Sequence, residues 1–434
     1  MAEETTQRDR TVLLLEAPFA PPYGGIARYI SRCVPYLIRS GYRVITLSPS
    51  GCNLNPDLGL SQEEQARLRI FELKHPSAPR LAAYLAKNIF GLYPVWIRLL
   101  IPFFLAPVTA ARELGLIISY LINLEQVCAQ VQDFDFIHVY SGPWRQGVAG
   151  WLVSKRMRKK LMLTTFGEVL PHNDELVQVE FRSRFFRPLA RLALCNADIV
   201  ASMTDHCLRQ LLNAGFSPEQ ARLVPLVVGM GDFEKASGGK EMRTRLGISD
   251  EPMLLFVGHI RARKGPQVLV EGLKKILKVH PRSRLVIVGP DFDFTETLLA
   301  RAGQLGVTDN LIIHGTMGDD ELPALFDACD VFCFSTLTKI ECLGLTFVQA
   351  MHAGKPVIAT RIAAAPEVIR HGTDGFLVEP GDVDDFAARA IELLSMTPKQ
   401  RGEMGRSARS RAKELFDEEK VLAEITATYE TLYQ

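Results

Sequence analysis

The sequence predicts an α/β protein made of two doubly wound parallel-sheet domains, and three observations carry that expectation. Short apolar runs alternate with amphipathic helical patterns almost throughout the chain. At 434 residues the chain is too long for one ordinary core, so two domains of about 200 residues each are expected. Between the two halves, residues 228–250 read VGMGDFEKASGGKEMRTRLGISD, a glycine-rich, charged stretch with little strand signal.

In the first half, strands are expected at 11–16, 43–48, 136–140, 161–165 and 199–202. A helix with Ile26, Ile30, Val34, Leu37 and Ile38 on one face joins the first two and stops at Gly41. The second half carries strands at 253–257, 284–288, 311–314, 331–334 and 356–360. After Gly265 a helix opens on Pro266 and buries Val268, Leu269, Leu273, Ile276 and Leu277. The halves are architecturally alike and predict twin Rossmann-like domains facing a cleft, with ligands at the carboxyl ends of the strands. The resulting boundaries are 11–228 for the first domain, 229–250 for a linker, 251–412 for the second domain and 413–434 for a terminal segment. That last segment is helical in pattern from Val421 to Tyr433.

An apolar fraction of 47% and a charged fraction of 23% are those of a soluble globular protein, and the net charge of +1 gives no whole-chain case for nucleic acid. The eight cysteines (33, 52, 128, 195, 207, 329, 333 and 342) show no paired metal spacing. Several fall in apolar runs, as free buried thiols do, which favours a reducing compartment. The first ten residues show no apolar secretory core. Residues 95–122 are strongly apolar, but Arg98, Pro102, Pro107, Arg112 and Glu113 interrupt them short of the ~18–20 residues of a spanning helix. A buried helical pair is expected there. Basic residues cluster at Lys155, Arg156, Arg158, Lys159 and Lys160. Arg182, Arg184, Arg187 and Arg191 are interleaved with Phe181, Phe185, Phe186 and Leu189. Such residues form either a solvated face or a peripheral contact with an anionic lipid surface.

Three loops carry candidate chemistry. Gly24 and Gly25, between the first strand and its helix, allow backbone to approach a ligand closely. GHIRARKG, residues 258–265, puts Arg261, Arg263 and Lys264 beyond a strand's carboxyl end, where cations suit a diphosphate. In IECLGLTFVQAMHAGKPVIAT, residues 340–360, Glu341 precedes a helix opening near Gly344, and Gln349 follows two turns after the glutamate. Free N–H groups and the positive dipole end make such a helix start a phosphate site. The plain alternative is that Glu341 complements the dipole and Gln349 is a surface amide.

These segments, with PEVIRHGTDGFLVEPGD at 366–382 and PPYGGIARYISR at 21–32, resemble the retaining GT-B glycosyltransferases of family 4, the glycosyl transferases group 1. The resemblance runs from about residue 11 to 434 and is weakest over 50–135. It implies that the terminal helix crosses back onto the first domain. It further implies a metal-independent hexosyltransferase that needs no cofactor and moves sugar from a nucleotide-diphosphate donor to a hydroxyl acceptor. That acceptor would be a glycan, glycolipid or small metabolite. The expected setting is cytoplasmic or peripheral on the inner face of the plasma membrane, in surface polysaccharide or glycolipid assembly.

By the same resemblance Glu341 contacts the donor sugar, and Gly344, Leu345 and Thr346 offer backbone N–H groups to the diphosphate. Lys264 neutralises leaving-group charge, Gly25 brings its loop to the phosphates, and Gln349 binds the ribose. The main chain at Thr316 and Met317 edges the base. Three positions depart from the family pattern. Gln349 replaces its second glutamate, and His259 replaces the arginine after the strand glycine, leaving Arg261 or Arg263 to reach the phosphate. Phe166 replaces a histidine before Gly167, with Glu168 and His172 close enough in sequence to substitute. The departures leave a second reading open, a catalytically degenerate GT-B binding or scaffold subunit.

Overall fold

A computed structural model describes residues 10–15, 25–48, 58–74, 76–88, 107–131, 133–140, 145–165, 189–225, 230–338 and 343–433. The chain divides into two units, residues 1–226 with 421–434, and residues 227–420.

The first unit is a seven-stranded, all-parallel sheet. Its strands are β1 (Arg10–Leu15), β2 (Tyr42–Ser48), β3 (Leu68–Glu72), β4 (Phe136–Val139), β5 (Lys160–Thr165), β6 (Ile199–Ser202) and β7 (Ala221–Leu223). Their order is β3-β2-β1-β4-β5-β6-β7. The central strands are buried on both faces, as parallel strands under helices must be. Sequence periodicity finds the central strands to within a residue or so at each end; Glu16 lies outside the described residues. It misses β3 and β7. β3 is an edge strand whose Arg69 and Glu72 face solvent, and β7 is only three residues long. The helix Pro107–Gln130 lays Leu114, Ile117, Ile118, Leu121 and Leu124 into this core, as expected for a buried helix. The rest of the apolar stretch, residues 95–106, lies outside the described residues. Among the described residues no helix is long and apolar enough to cross a membrane.

Part of the basic cluster is engaged locally. Arg156 pairs with Glu125, and the Nζ atoms of Lys155 and Lys159 lie over the rings of Trp151 and Phe134. Arg182, Arg184 and Arg187 lie outside the described residues.

The second unit is a six-stranded parallel sheet of β8 (Met253–Val257), β9 (Arg284–Val288), β10 (Leu311–His314), β11 (Val331–Phe334), β12 (Val357–Thr360) and β13 (Gly375–Val378), ordered β10-β9-β8-β11-β12-β13. β13 is a further strand that periodicity misses. Gly375 makes its pairing possible, since a Cβ there would lie 2.2 Å from the carbonyl oxygen of Val357. The helix Pro266–Ile276 buries the expected face, with Leu277 half-buried at its C-cap.

The glycine-rich stretch expected to link the domains instead carries two short helices, Gly231–Glu234 and Gly239–Arg245, within the second unit. Phe233 is fully buried, edge-on against Phe326 at 5.4 Å. The Gly239 N–H donates to Asp327 at 3.0 Å, and a Cβ at Gly239 would come within 2.7 Å of that carboxylate. Here glycine serves close approach.

The last helix, Glu418–Tyr433, crosses back, and its residues from Val421 on belong to the first unit. Tyr429 is buried edge-on against Phe136 (4.7 Å) and Tyr42 (5.5 Å), and its hydroxyl is 2.6 Å from Nδ1 of His138. The other ring nitrogen of His138 is 2.7 Å from Oγ1 of Thr164. At the rim, Glu430 pairs with Arg10 and accepts from the Tyr42 hydroxyl at 3.1 Å.

Burial pushes His138 down to about 3, so the folded protein holds it neutral. The unfolded chain takes up that proton near pH ~6.5 and the folded chain does not. The stability His138 contributes is therefore complete above pH ~6.5 and is lost as pH falls, by about 1.4 kcal/mol per pH unit, down to the folded-state value. Denaturant unfolding of the first unit from pH ~7.5 to ~5 should show this slope, and His138→Gln should flatten it. An unchanged slope in the variant would contradict the assignment.

Candidate functional site

The sheet of the second unit reverses its strand order between β8 and β11. Crossovers leave β8 and β11 on opposite faces, so a crevice opens between their carboxyl ends, which is where ligands of doubly wound sheets bind. Two loops meet there.

The first leaves β8. Ala262–Lys264 form a single 3₁₀ turn, closed by the Lys264 N–H on the Arg261 carbonyl at 3.0 Å. Gly265 then takes a left-handed φ of +73°, and Pro266 starts the next helix. A Cβ at Gly265 would lie 1.9 Å from the carbonyl oxygen of Ser335, so only glycine allows this turn to seat on the exit of β11. Three hydrogen bonds hold the seat. The Leu337 N–H donates to the Arg263 carbonyl at 2.8 Å, the Thr336 hydroxyl to the same carbonyl at 3.3 Å, and the Ser335 hydroxyl to the Lys264 carbonyl at 3.0 Å. The Thr336 carbonyl in turn accepts from the Thr360 hydroxyl at 2.9 Å, tying in β12.

The second loop leaves β11 and ends at Gly344, left-handed at φ +76°, which opens the helix Leu345–His352. A Cβ at Gly344 would meet the rings of Phe334 and Phe347 at 2.7 Å, and those rings pack edge-on at 5.2 Å. Among the described residues no side chain caps this helix, so its first N–H groups, on Leu345 and Thr346, open its N-terminal end. Gly344 sits against Phe334 and Lys264 beside Ser335, two consecutive residues. The cationic turn and the helix start thus share one anchor. At the helix's other end His352 is buried with Nδ1 3.3 Å from Glu234, which also pairs with Lys413 at 2.7 Å. Burial, opposed by Glu234, pushes His352 down to about 4.

Comparison with known proteins gives a family-model match for each unit. Residues 239–411 match the model described as glycosyl transferases group 1, and residues 24–226 match the glycosyl transferase 4-like domain. Between them the two models take in most of the chain, which resembles the glycosyl transferases group 1 family. A GDP-mannose-dependent alpha-(1-6)-phosphatidylinositol monomannoside mannosyltransferase of Mycolicibacterium smegmatis is 30% identical over 233 residues, covering 51% of this chain and 60% of the relative. A D-inositol 3-phosphate glycosyltransferase of Streptomyces scabiei is 26% identical over 291 residues, 64% of each chain. Both matches take in less than two thirds of the relative's length. The crystal structure of Anabaena HepE in complex with UDP-glucose shares the fold, with a TM-score of 0.69 at 19% identity over 97% of this chain and 99% of that one.

The structure describes some of the residues expected at the donor. Lys264, Gly344, Leu345 and Thr346 converge on the exit of β11. Arg263 contributes its carbonyl to the seat. Arg261 lies with its guanidinium 3.9 Å from the centroid of Phe292. Thr316 and Met317 follow the edge strand β10; Thr316 is exposed and Met317 is buried with its sulfur 3.8 Å from Arg245. Gln349 is no surface amide: it is 6% exposed, in the second turn of the helix. Gly25 is the first residue of the helix Gly25–Arg39. Glu341, Gly24, Glu168 and His172, with Phe166 and Gly167, lie outside the described residues. Sequence reasoning passed over Ser335, Thr336 and Phe292. A Ser–Thr pair directly after a buried strand, and a phenylalanine between two aspartates in a loop, were the available signals.

Gly265→Ala combines a left-handed backbone with a backbone clash and should destabilise the second unit by about 2–5 kcal/mol. Gly303→Ala, in the helix Thr295–Leu305 with open space around its Cβ, should stabilise it by about 0.5–1 kcal/mol. Denaturant midpoints compare the two, and equal shifts would contradict the seat.

Proposed function

We propose that the protein is a retaining glycosyltransferase that moves a hexosyl group from a nucleoside-diphosphate sugar to a hydroxyl acceptor, with the donor's diphosphate at the β8–β11 switch point. The observation that carries this reading is the shared anchor of Lys264 and the Gly344 helix start on Phe334 and Ser335. A diphosphate there meets an ammonium and oriented N–H dipoles together. In this reading the acceptor hydroxyl attacks the face that the diphosphate leaves, and the departing diphosphate takes its proton. Lys264 and the helix dipole stabilise the leaving charge, so neither a metal ion nor a protein nucleophile is assigned a role. Glu341 holds the sugar hydroxyls. The names of relatives support the donor class, since one is GDP-mannose-dependent and HepE was crystallised with UDP-glucose. We place the reaction in surface polysaccharide or glycolipid assembly on the cytoplasmic side of the membrane.

Gln349 favours a second reading, a binding subunit that retains the fold. A buried amide accepts one hydrogen bond without the charge that strengthens a carboxylate's. Calorimetry against UDP-, GDP- and ADP-sugars separates the two, because a transferase binds at least one of them and silence toward all favours the subunit.

With the true donor and acceptor, Lys264→Ala and Glu341→Ala should each lower turnover about 10²–10³-fold, the effect of losing one charge stabiliser worth about 2–4 kcal/mol, with unfolding unchanged. Near-wild-type turnover in both variants would contradict the site.

A further inference from the structure

We propose that Phe292 is a positioning residue for Arg261, and that the stacked pair delivers a guanidinium to the donor's diphosphate in place of the arginine missing at His259. This rests on the donor-site reading above and assigns it a residue outside the phosphate loop.

The loops after β8 and β9 do not separate where the strands end. The Gly258 N–H donates to the Val288 carbonyl at 2.9 Å, the Ile260 N–H to the Pro290 carbonyl at 2.9 Å, and the Phe292 N–H to the Ile260 carbonyl at 3.1 Å. Gly289, at φ +149°, permits the closeness, for a Cβ there would lie 2.0 Å from the Gly258 carbonyl oxygen. On the far side of Phe292, the Asp291 carboxylate accepts the N–H groups of Phe294 and Thr295 at 3.0 and 3.1 Å. Those bonds hold Asp291 below the usual carboxylate range, so it stays ionised as the anchor. The backbone that carries Phe292 is therefore tied on both sides.

Extended backbone turns alternate side chains to opposite faces. Ile260 is buried, so His259 and Arg261 share the other face, and both meet the same ring. The Arg261 guanidinium lies 3.9 Å from the Phe292 centroid, and the His259 ring lies 4.7 Å from it. Phe292 itself is 44% exposed, one of the few large apolar side chains left in water among the described residues, so burial does not account for it. A plate under a guanidinium does. Stacking fixes the plane of a guanidinium, and a guanidinium held by its face can donate to phosphate oxygens through its edge. An unrestrained arginine would lose rotamer freedom on binding, and the ring removes part of that cost beforehand. The pair stands at the carboxyl end of β8, three residues before Lys264.

The test is calorimetric titration with UDP, GDP and ADP of the wild type and of Lys264→Ala, Arg261→Ala, Phe292→Leu, Phe292→Tyr and the Arg261→Ala/Phe292→Leu double variant, all checked for unchanged melting. We expect Lys264→Ala and Arg261→Ala to weaken the tightest nucleotide about 10–100-fold and Phe292→Leu about 3–30-fold. The double variant should be no weaker than Arg261→Ala, and Phe292→Tyr should bind within about twofold of wild type. With the matching sugar donor, Phe292→Leu should raise KM and leave kcat unchanged, a split that general loosening of the fold would not give. If Lys264→Ala loses binding while Phe292→Leu does not, or if the double variant multiplies the two losses, the proposal is overturned and the donor-site reading stands. If Lys264→Ala binds as wild type does, the donor-site reading falls and takes the proposal with it.

Discussion

The second unit depends on one contact, the seating of the Lys264–Gly265 turn on the backbone that leaves β11. Two carbonyls, those of Arg263 and Lys264, accept from Leu337, Thr336 and Ser335, and the seat exists only because Gly265 has no Cβ. β8 and β11 are neighbours whose crossovers leave in opposite directions, so nothing in the ladder itself would hold their outgoing loops together. The seat does so. It fixes the backbone of Lys264 against the strand whose last aromatic, Phe334, supports the helix start of the other loop. Preorganisation of this kind raises the value of each dipole, since no reorganisation is left for the moment charge develops.

The same economy of backbone recurs elsewhere in the chain. Gly239 against Asp327, Gly289 against Gly258 and Gly375 against Val357 all mark places where main chain touches main chain or a carboxylate. In the first unit, side chains serve that purpose. The crossing helix is held by Tyr429 between Phe136 and Tyr42, with a neutral His138 linking it to Thr164. A buried network of this sort stabilises only while every member is satisfied, so its imidazole is kept uncharged.

Much of this was legible in the sequence, for definite reasons. Strands buried on both faces read as apolar runs, so β6, β8, β9 and β11 could be located to the residue; the edge strand β10 could be located because Leu311, Ile312 and Ile313 form an apolar run of their own. The turn at Lys264 and Gly265 was legible because Lys-Gly-Pro after a strand has a geometric meaning, and so was the helix opening at Gly344. What stayed hidden depended on partners distant in sequence. β3 and β7 lack the two-faced burial that makes a strand visible. The stretch 228–250 looks like a linker by composition, yet Phe233 finds Phe326 and Gly239 finds Asp327, both some ninety residues on. The Ser335 and Thr336 hydroxyls matter because of carbonyls more than seventy residues earlier, and Phe292 because of a ladder that continues past the strands. Local pattern cannot encode such pairings.

The central claim is that the crevice between β8 and β11 is a diphosphate site. A crystal structure of the protein with a bound nucleoside diphosphate tests it most directly. The account predicts β-phosphate oxygens within hydrogen-bonding distance of the Leu345 and Thr346 N–H groups and of Nζ of Lys264, about 2.7–3.2 Å. A nucleotide bound with its phosphates away from these three groups would contradict it.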